Sequence, residues 1–176
     1  FKMDFKTARR RMVDSQVRTN DVTDLRLQTA LETIPREMFL PSSLREQAYV
    51  ERELPYAPGR SMLTARDFAK LVAAADPRPT DLCLDAVAGT GYSTAVLAGL
   101  VDMVVAVESD ETLAAAAQEN ITKLDVANAA VITGDSAKGA PGQGPFDLIL
   151  IDGVIEIRPD TLLAQLKDGG RLATIQ

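Results

Sequence analysis

The sequence predicts an α/β fold: a mostly parallel sheet with helices on both faces, preceded by an N-terminal helical cap. Three observations carry that prediction. From residue 81 onward, short apolar runs alternate with helix-like segments, the pattern of a parallel sheet covered on both sides. The first of those runs ends in Leu84-Asp85-Ala86-Val87-Ala88-Gly89-Thr90-Gly91-Tyr92, which reads as a strand, a turn through two glycines and the start of a helix. Before residue 78 the apolar residues recur at helical spacing and are then broken up by prolines.

Taken in order, residues 4–19 and 23–33 are predicted as two helices broken at Thr19-Asn20-Asp21, with Val22, Leu25, Leu27, Ala30, Leu31 and Ile34 setting the period. Pro35 ends the second, and Pro41, Pro55, Pro58 and Gly59 make the rest of the cap loop-rich. Residues 65–75 are helical again, with Phe68, Leu71 and Val72 on one face. After Asp76-Pro77-Arg78-Pro79, strands are predicted at 81–86, 103–107, 129–132, 147–151 and 171–175, and helices at 92–100, 110–124 and 159–167. The cap, 1–78, and the core, 79–176, are read as one integrated domain. Gly169-Gly170 turns into an apolar strand that is barely complete at the last residue, so further sheet is expected beyond Gln176. Phe1 and Lys2 precede Met3, which leaves open where the natural chain begins.

At 176 residues the chain can bury a real core. Its net charge of −6 argues against a nucleic-acid partner, because affinity for phosphate backbones comes from clustered Lys and Arg. Arg9-Arg10-Arg11 is read as the solvated face of a helix. Cys83, the one cysteine, sits inside an apolar strand as a core residue, so neither a disulfide framework nor a metal site is expected. No stretch reaches the roughly 18 apolar residues of a membrane span and no signal-peptide pattern opens the chain, so a cytoplasmic protein without a membrane partner is expected. Composition does not set the oligomeric state. The most restrictive count is zero histidines, which removes imidazole as base, nucleophile partner and metal ligand. Chemistry here must use carboxylates or avoid proton transfer, and methyl transfer to an already ionised oxygen does the latter.

The glycine turn after the first core strand is how a Rossmann-like sheet holds a nucleoside cofactor, through close backbone approach and the free N–H groups of a helix start. Asp85 narrows the ligand. It would repel a pyrophosphate, whereas S-adenosyl-L-methionine carries an ammonium and a sulfonium. A nicotinamide dinucleotide is disfavoured again by Thr94, which stands where Gly-x-Gly-x-x-Gly would have its third glycine. Glu108 ends the second strand 23 residues after Asp85 and is placed to accept both ribose hydroxyls. Asp135, after the third strand, is placed to meet the adenine edge. The predicted cofactor residues are therefore Asp85, Ala86, Val87, Gly89, Gly91 and Tyr92 at the first turn, Glu108 and Ser109 at the second, and Asp135 and Ser136 at the third.

Further blocks resemble one family throughout. They are Arg11-Met12-Val13-Asp14-Ser15-Gln16-Val17, then Ile34-Pro35-Arg36-Glu37-Met38-Phe39-Leu40-Pro41, Ala48-Tyr49 and Glu53-Leu54-Pro55 in the cap, and Ala95-Val96-Leu97-Ala98 and Gln165 to Leu172 in the core. On these the chain resembles the protein-L-isoaspartate (D-aspartate) O-methyltransferase family. The resemblance implies a class I methyltransferase that uses S-adenosyl-L-methionine to esterify the stray carboxylate of isoaspartyl residues in damaged proteins or peptides. Such a carboxylate, with a pKa near 4, is ionised at neutral pH and needs no base.

Three positions depart from the family. Val87 stands where its glycine-rich turn usually has glycine, which costs backbone freedom. The family's active-site loop runs Gly-Gln-Thr-Ile-Ser-Gln-Pro, and here it reads Gly59-Arg60-Ser61-Met62-Leu63-Thr64-Ala65. Ser61 keeps the first hydroxyl, Leu63 replaces the serine, and Thr64 restores a hydroxyl only if the loop shifts by one residue. Asp152 follows the fourth strand where the family has a small neutral run, and it puts a negative charge where the acceptor carboxylate should dock. Ser61, Thr64 and Asp152 are the candidate catalytic residues. The departures motivate two alternatives: a diverged member with another acceptor, Asp152 serving as base or amine acceptor, and a binding or scaffold protein without repair activity.

Overall fold

The computed structural model describes residues 2–176, the side chain of Val154 apart, so the start of the chain at Phe1 lies outside the described residues. Asp4 caps helix α1 (Phe5–Met12) by accepting the Thr7 N–H at 3.1 Å. The helix then widens into a π turn, Val13–Val17, and tightens into a 3₁₀ turn, Arg18–Asn20, before Asp21 reverses it with φ of 63°. The winding changes where Ser15, Thr19 and Asn20 side chains bond the carbonyls of Arg11, Ser15 and Gln16 and compete with the regular ladder. Asp24 caps α2 (Leu25–Thr33), and Ile34, held extended before Pro35, stops it.

A two-stranded antiparallel hairpin follows, β1 (Leu54–Ala57) and β2 (Arg60–Met62), turned through Pro58 and Gly59, whose φ is +70°. Helix α3 (Ala65–Ala75) matches its predicted bounds, and its N-cap is Thr64, which accepts the Asp67 N–H at 3.1 Å.

The core alternates β3 (Leu82–Asp85), α4 (Tyr92–Ala98), β4 (Met103–Glu108), α5 (Glu111–Lys123), β5 (Ala129–Thr133), β6 (Phe146–Val154), α6 (Asp160–Leu163) and β7 (Leu166–Ile175). Its sheet has the order β5-β4-β3-β6-β7 with every neighbouring pair parallel. The order reverses between β3 and β6, which opens a crevice at the strands' carboxyl ends.

One expectation is corrected here. The helix predicted over 159–167 closes after Leu163, and Leu166 and Lys167 belong to β7, with Leu166 opposite Phe146. Gln165 draws this segment onto the sheet: its carbonyl accepts the Phe146 N–H at 2.8 Å and its side chain bonds the Ala140 N–H and the Lys138 carbonyl. Tertiary pairing overrides a helical period here. Gly169 and Gly170 then lie in a register shift of β7, Gly169 with φ of +76°.

Successive residues of the buried strands face opposite sides. Cys83, Val104, Leu148 and Leu150 pack with Met12, Val13, Val17, Leu31 and Phe39 of the cap, in one cluster that crosses residue 78. Leu84, Val105, Val107 and Ile149 form the cluster on the other face with Leu162. At the amino ends of the strands, buried Asp81 accepts the Arg78 N–H and Arg171 Nη2, at 2.9 and 2.5 Å, while Arg171 also bonds the Ala75 and Asp76 carbonyls. Asp147 accepts the Leu82 N–H at 2.8 Å and pairs with Lys167.

Gly91 caps α4 with φ of +98°, and a Cβ there would lie 3.2 Å from the Ala117 Cα on α5. Gly91→Ala is therefore expected to destabilise the chain by about 1–3 kcal/mol, read from urea unfolding, since both backbone strain and helix contact oppose the methyl group.

Candidate functional site

The crevice is built at the carboxyl ends of β3, β4 and β6, and Asp152, expected just after a strand at 147–151, lies within β6, which runs on to Val154. The turn after β3 is pinned between its neighbours: the Ala86 N–H bonds the Leu150 carbonyl at 2.9 Å and the Ala88 N–H bonds the Val107 carbonyl at 3.0 Å. Gly89 then runs with φ of +56°, and a Cβ on it would run into the Tyr56 hydroxyl of the hairpin. Asp85 is fully buried. Its Oδ2 accepts the hydroxyls of Ser93 and Thr94 at 2.7 and 2.8 Å, whereas its Oδ1 is buried without a partner. Burial pushes its pKa up to about 7; the two hydroxyls resist, and the charges of Asp152 and Glu108 add to the rise.

Glu108 is buried at the end of β4. Its Oε1 accepts the Gly89 N–H at 2.9 Å and its Oε2 the Asp110 N–H at 2.7 Å. Arg60 adds a two-pronged ion pair, Nη1 to Oε1 and Nη2 to Oε2, both at 2.7 Å. Burial opposes ionisation of Glu108, but these donors together hold its pKa below the usual carboxylate range. Ser109 Oγ is exposed beside the same guanidinium, at 3.4 Å.

Asp135 is exposed and caps the short 3₁₀ turn Ser136–Lys138, its Oδ1 accepting the Ala137 N–H at 2.9 Å. Ser136 borders a second hollow with Ala86, Val87 and Ile151, and its Oγ is buried without a partner.

Beside the turn lies a cavity of about 370 Å³, bordered by Arg60, Ser61, Leu63, Val87, Tyr92 and Asp152. Asp152 Oδ1 is buried and unpaired; burial pushes its pKa up to about 6 against the opposing charge of Arg36. Arg36 is 1% exposed, donates from Nε to the Ala48 carbonyl at 2.7 Å and from Nη2 to the Leu63 carbonyl at 2.6 Å, and leaves Nη1 unpaired. It lies 5.3 Å from the centre of the Tyr92 ring, which Phe39 and Phe68 hold from other sides. The Tyr92 hydroxyl is also buried without a partner.

The structure thus brings Ser61, Val87, Tyr92 and Asp152 to one crevice, with Asp85 fully buried behind Ser93 and with Gly89 and Glu108 bonded together beside Arg60. It does not bring Thr64 there: that hydroxyl is committed to capping α3, a role signalled by Thr64-x-x-Asp67, a cap followed by an acid three residues on. Sequence reasoning missed Arg36, Arg60, Tyr56 and Ser93, and took Thr94 only as a missing glycine.

The residues present fit a cationic adenosyl ligand. Two buried carboxylate oxygens without partners, one on Asp85 and one on Asp152, suit a positively charged group, and a buried acid, Glu108, stands at the end of the next strand, the place where Rossmann-like folds carry a ribose acceptor. Among the described residues, no helix is long and apolar enough to cross a membrane.

Comparisons with known proteins agree with the geometry. Residues 7–175 match the family model of protein-L-isoaspartate(D-aspartate) O-methyltransferase. The chain is 36% identical over 168 residues to the protein-L-isoaspartate O-methyltransferase of Koribacter versatilis, covering 96% of this chain and 76% of that protein. It is likewise 36% identical over 164 residues to that of Herpetosiphon aurantiacus, covering 93% of this chain and 73% of the relative. A solved protein-L-isoaspartate O-methyltransferase superposes with a TM-score of 0.82 at 27% identity over 93% of this chain, which spans 54% of that one. A solved Plasmodium falciparum protein, described as a putative protein-L-isoaspartate O-methyltransferase in complex with S-adenosyl-L-homocysteine, shares the fold with a TM-score of 0.77 at 17% identity, over 97% of this chain and 83% of its own. On the strength of a family match that runs from the first cap helix to the last strand, the chain belongs to the protein-L-isoaspartate(D-aspartate) O-methyltransferase family.

Proposed function

We propose that this chain transfers a methyl group from S-adenosyl-L-methionine to the carboxylate of isoaspartyl residues in proteins or peptides. The observation that carries the reading is the pair of buried acids, Asp85 and Glu108, at the ends of adjacent parallel strands around a left-handed glycine turn. Bound there, the cofactor supplies an electrophilic methyl group on its sulfonium. Glu108 is the acceptor for the ribose hydroxyls, Gly89 and Gly91 let the backbone come close, and the free oxygens of Asp85 and Asp152 offset positive charge. Ala86, Val87 and Tyr92 form the wall of that site, and Ser109, Asp135 and Ser136 its adenine side. Ser61, exposed at the cavity mouth, orients the acceptor, while buried Leu63 and Phe68 keep water out. No residue needs to remove a proton, which suits a chain without histidine. The cytoplasmic setting expected from the sequence belongs to this proposal, as does the reading of cap and core as one unit sharing a hydrophobic cluster.

A donor labelled in its methyl group, incubated with the chain and an isoaspartyl peptide, is expected to give a base-labile ester on that peptide and none on its aspartyl counterpart. Binding of adenosylhomocysteine without any transfer would sink the activity and support a binding protein. Asp152 favours a second reading, in which the acceptor presents an N–H or O–H to its unpaired oxygen. Label on an amine or hydroxyl acceptor, with the isoaspartyl peptide untouched, would decide for it.

A further inference from the structure

Arg60 stands where the family's loop has glutamine, and the guanidinium changes what the site can do. A carboxylate offers about four lone-pair positions. On Glu108 two are taken by the N–H groups of Gly89 and Asp110 and the other two by Arg60, with the Ser109 hydroxyl a more distant donor at 3.5 Å from Oε2, so none is left for a ribose. The two N–H groups belong to backbone fixed by the sheet ends. Arg60 sits on the two-stranded hairpin, with Tyr56 of the same hairpin against Gly89, and supplies the two charged donors, both of which one side-chain rotation can withdraw.

Where that side chain can go follows from the cavity. Arg60 borders it beside Ser61 and Asp152. An acceptor carboxylate entering there meets the buried charge of Asp152, while the nearby Arg36 is anchored to two carbonyls. A forked guanidinium released from Glu108 would match a carboxylate in geometry and offset Asp152 in charge.

We propose that Arg60 switches partners: in the ligand-free protein it closes the nucleoside site by pairing with Glu108, and when a ribose takes Glu108 it turns to the carboxylate of the methyl acceptor. Cofactor entry thereby completes the acceptor site. This rests on the isoaspartyl methyltransferase reading, and the test separates the two.

Adenosylhomocysteine binding to the full chain is measured by calorimetry for the wild type, Arg60→Gln and Arg60→Lys. The glutamine variant, freed of the competing ion pair, is expected to bind about ten- to a hundredfold tighter, with lysine, a point charge without the fork, in between. Equal or weaker binding by Arg60→Gln overturns the competition for Glu108. At saturating S-adenosylmethionine the same glutamine variant is expected to raise KM for an isoaspartyl peptide about tenfold or more, with a much smaller change in kcat and partial recovery in Arg60→Lys. An unchanged KM overturns the handover to the acceptor. If none of the three proteins takes up adenosylhomocysteine, the methyltransferase reading itself falls, and the partner switch with it.

Discussion

Replacing Arg36 by methionine is expected to cost the chain about 2–5 kcal/mol of stability, among the largest single-residue effects in this protein. The side chain is 1% exposed and ties together two pieces of the cap that are remote in sequence, through the Ala48 and Leu63 carbonyls. Methionine fills similar volume but leaves both carbonyls buried without a donor. The Tyr92 ring loses its cation, and Asp152 loses the charge that opposes the rise in its pKa. Arg36→Lys, with one compact ammonium, cannot reach both carbonyls as a fork and should fall between. Urea unfolding measures the loss, and a change below about 1 kcal/mol for the methionine variant would contradict the buried-anchor role.

The second large effect is on pH. Asp85 and Asp152, pushed up to about 7 and about 6, hold protons in the free protein at mildly acid pH. A cationic ligand beside them favours their ionised forms, so binding below those values must expel protons. Affinity for S-adenosylmethionine is therefore expected to be full above about pH 7 and to fall as pH drops, by up to about tenfold per unit for each group that must ionise. The sign for folding is opposite to that of a salt-bridged acid. Between the ordinary carboxylate pKa and about 7 the native state keeps a proton on Asp85 that the unfolded chain gives up, so ligand-free stability declines as pH rises through that window. Calorimetry from pH 5.5 to 8.5, in buffers of different ionisation enthalpy, counts the protons released. Asp152→Asn should flatten the lower part of the curve, and a dissociation constant independent of pH in the wild type would remove this account.

Much of the frame was legible because its signals are local. A strand ending in Asp85, two glycines and an apolar helix start declare themselves within ten residues, and α3 kept its predicted bounds because Thr64, the helical period and Asp76 all agree. Glu108 was legible from its place at a strand end. What the sequence hid is non-local. The Arg60 contact with Glu108 depends on a hairpin folding back across 48 residues onto the sheet, and no periodic pattern encodes that. In the sequence Arg36 is only part of a block that carries the family resemblance, and its burial depends on the Ala48 and Leu63 carbonyls brought to it from elsewhere in the cap. Asp85 was read by its charge alone, whereas full burial makes it a group that takes up and releases a proton.

The fastenings at the amino ends of the strands have a consequence for how such a chain can vary. Asp81 with Arg171, and Asp147 with Leu82 and Lys167, tie β3, β6 and β7 together at the end opposite the crevice. The crevice tolerates unpaired buried oxygens, a left-handed turn and an unmatched aspartate, each of which weakens the fold where it stands. With the sheet secured at its far end, changes such as Leu63, Val87 and Asp152 can accumulate around the ligand while the scaffold persists. The two ends of one sheet thus carry separate tasks, fastening at one and ligand-facing chemistry at the other, so that the residues around the site can change without loosening the architecture.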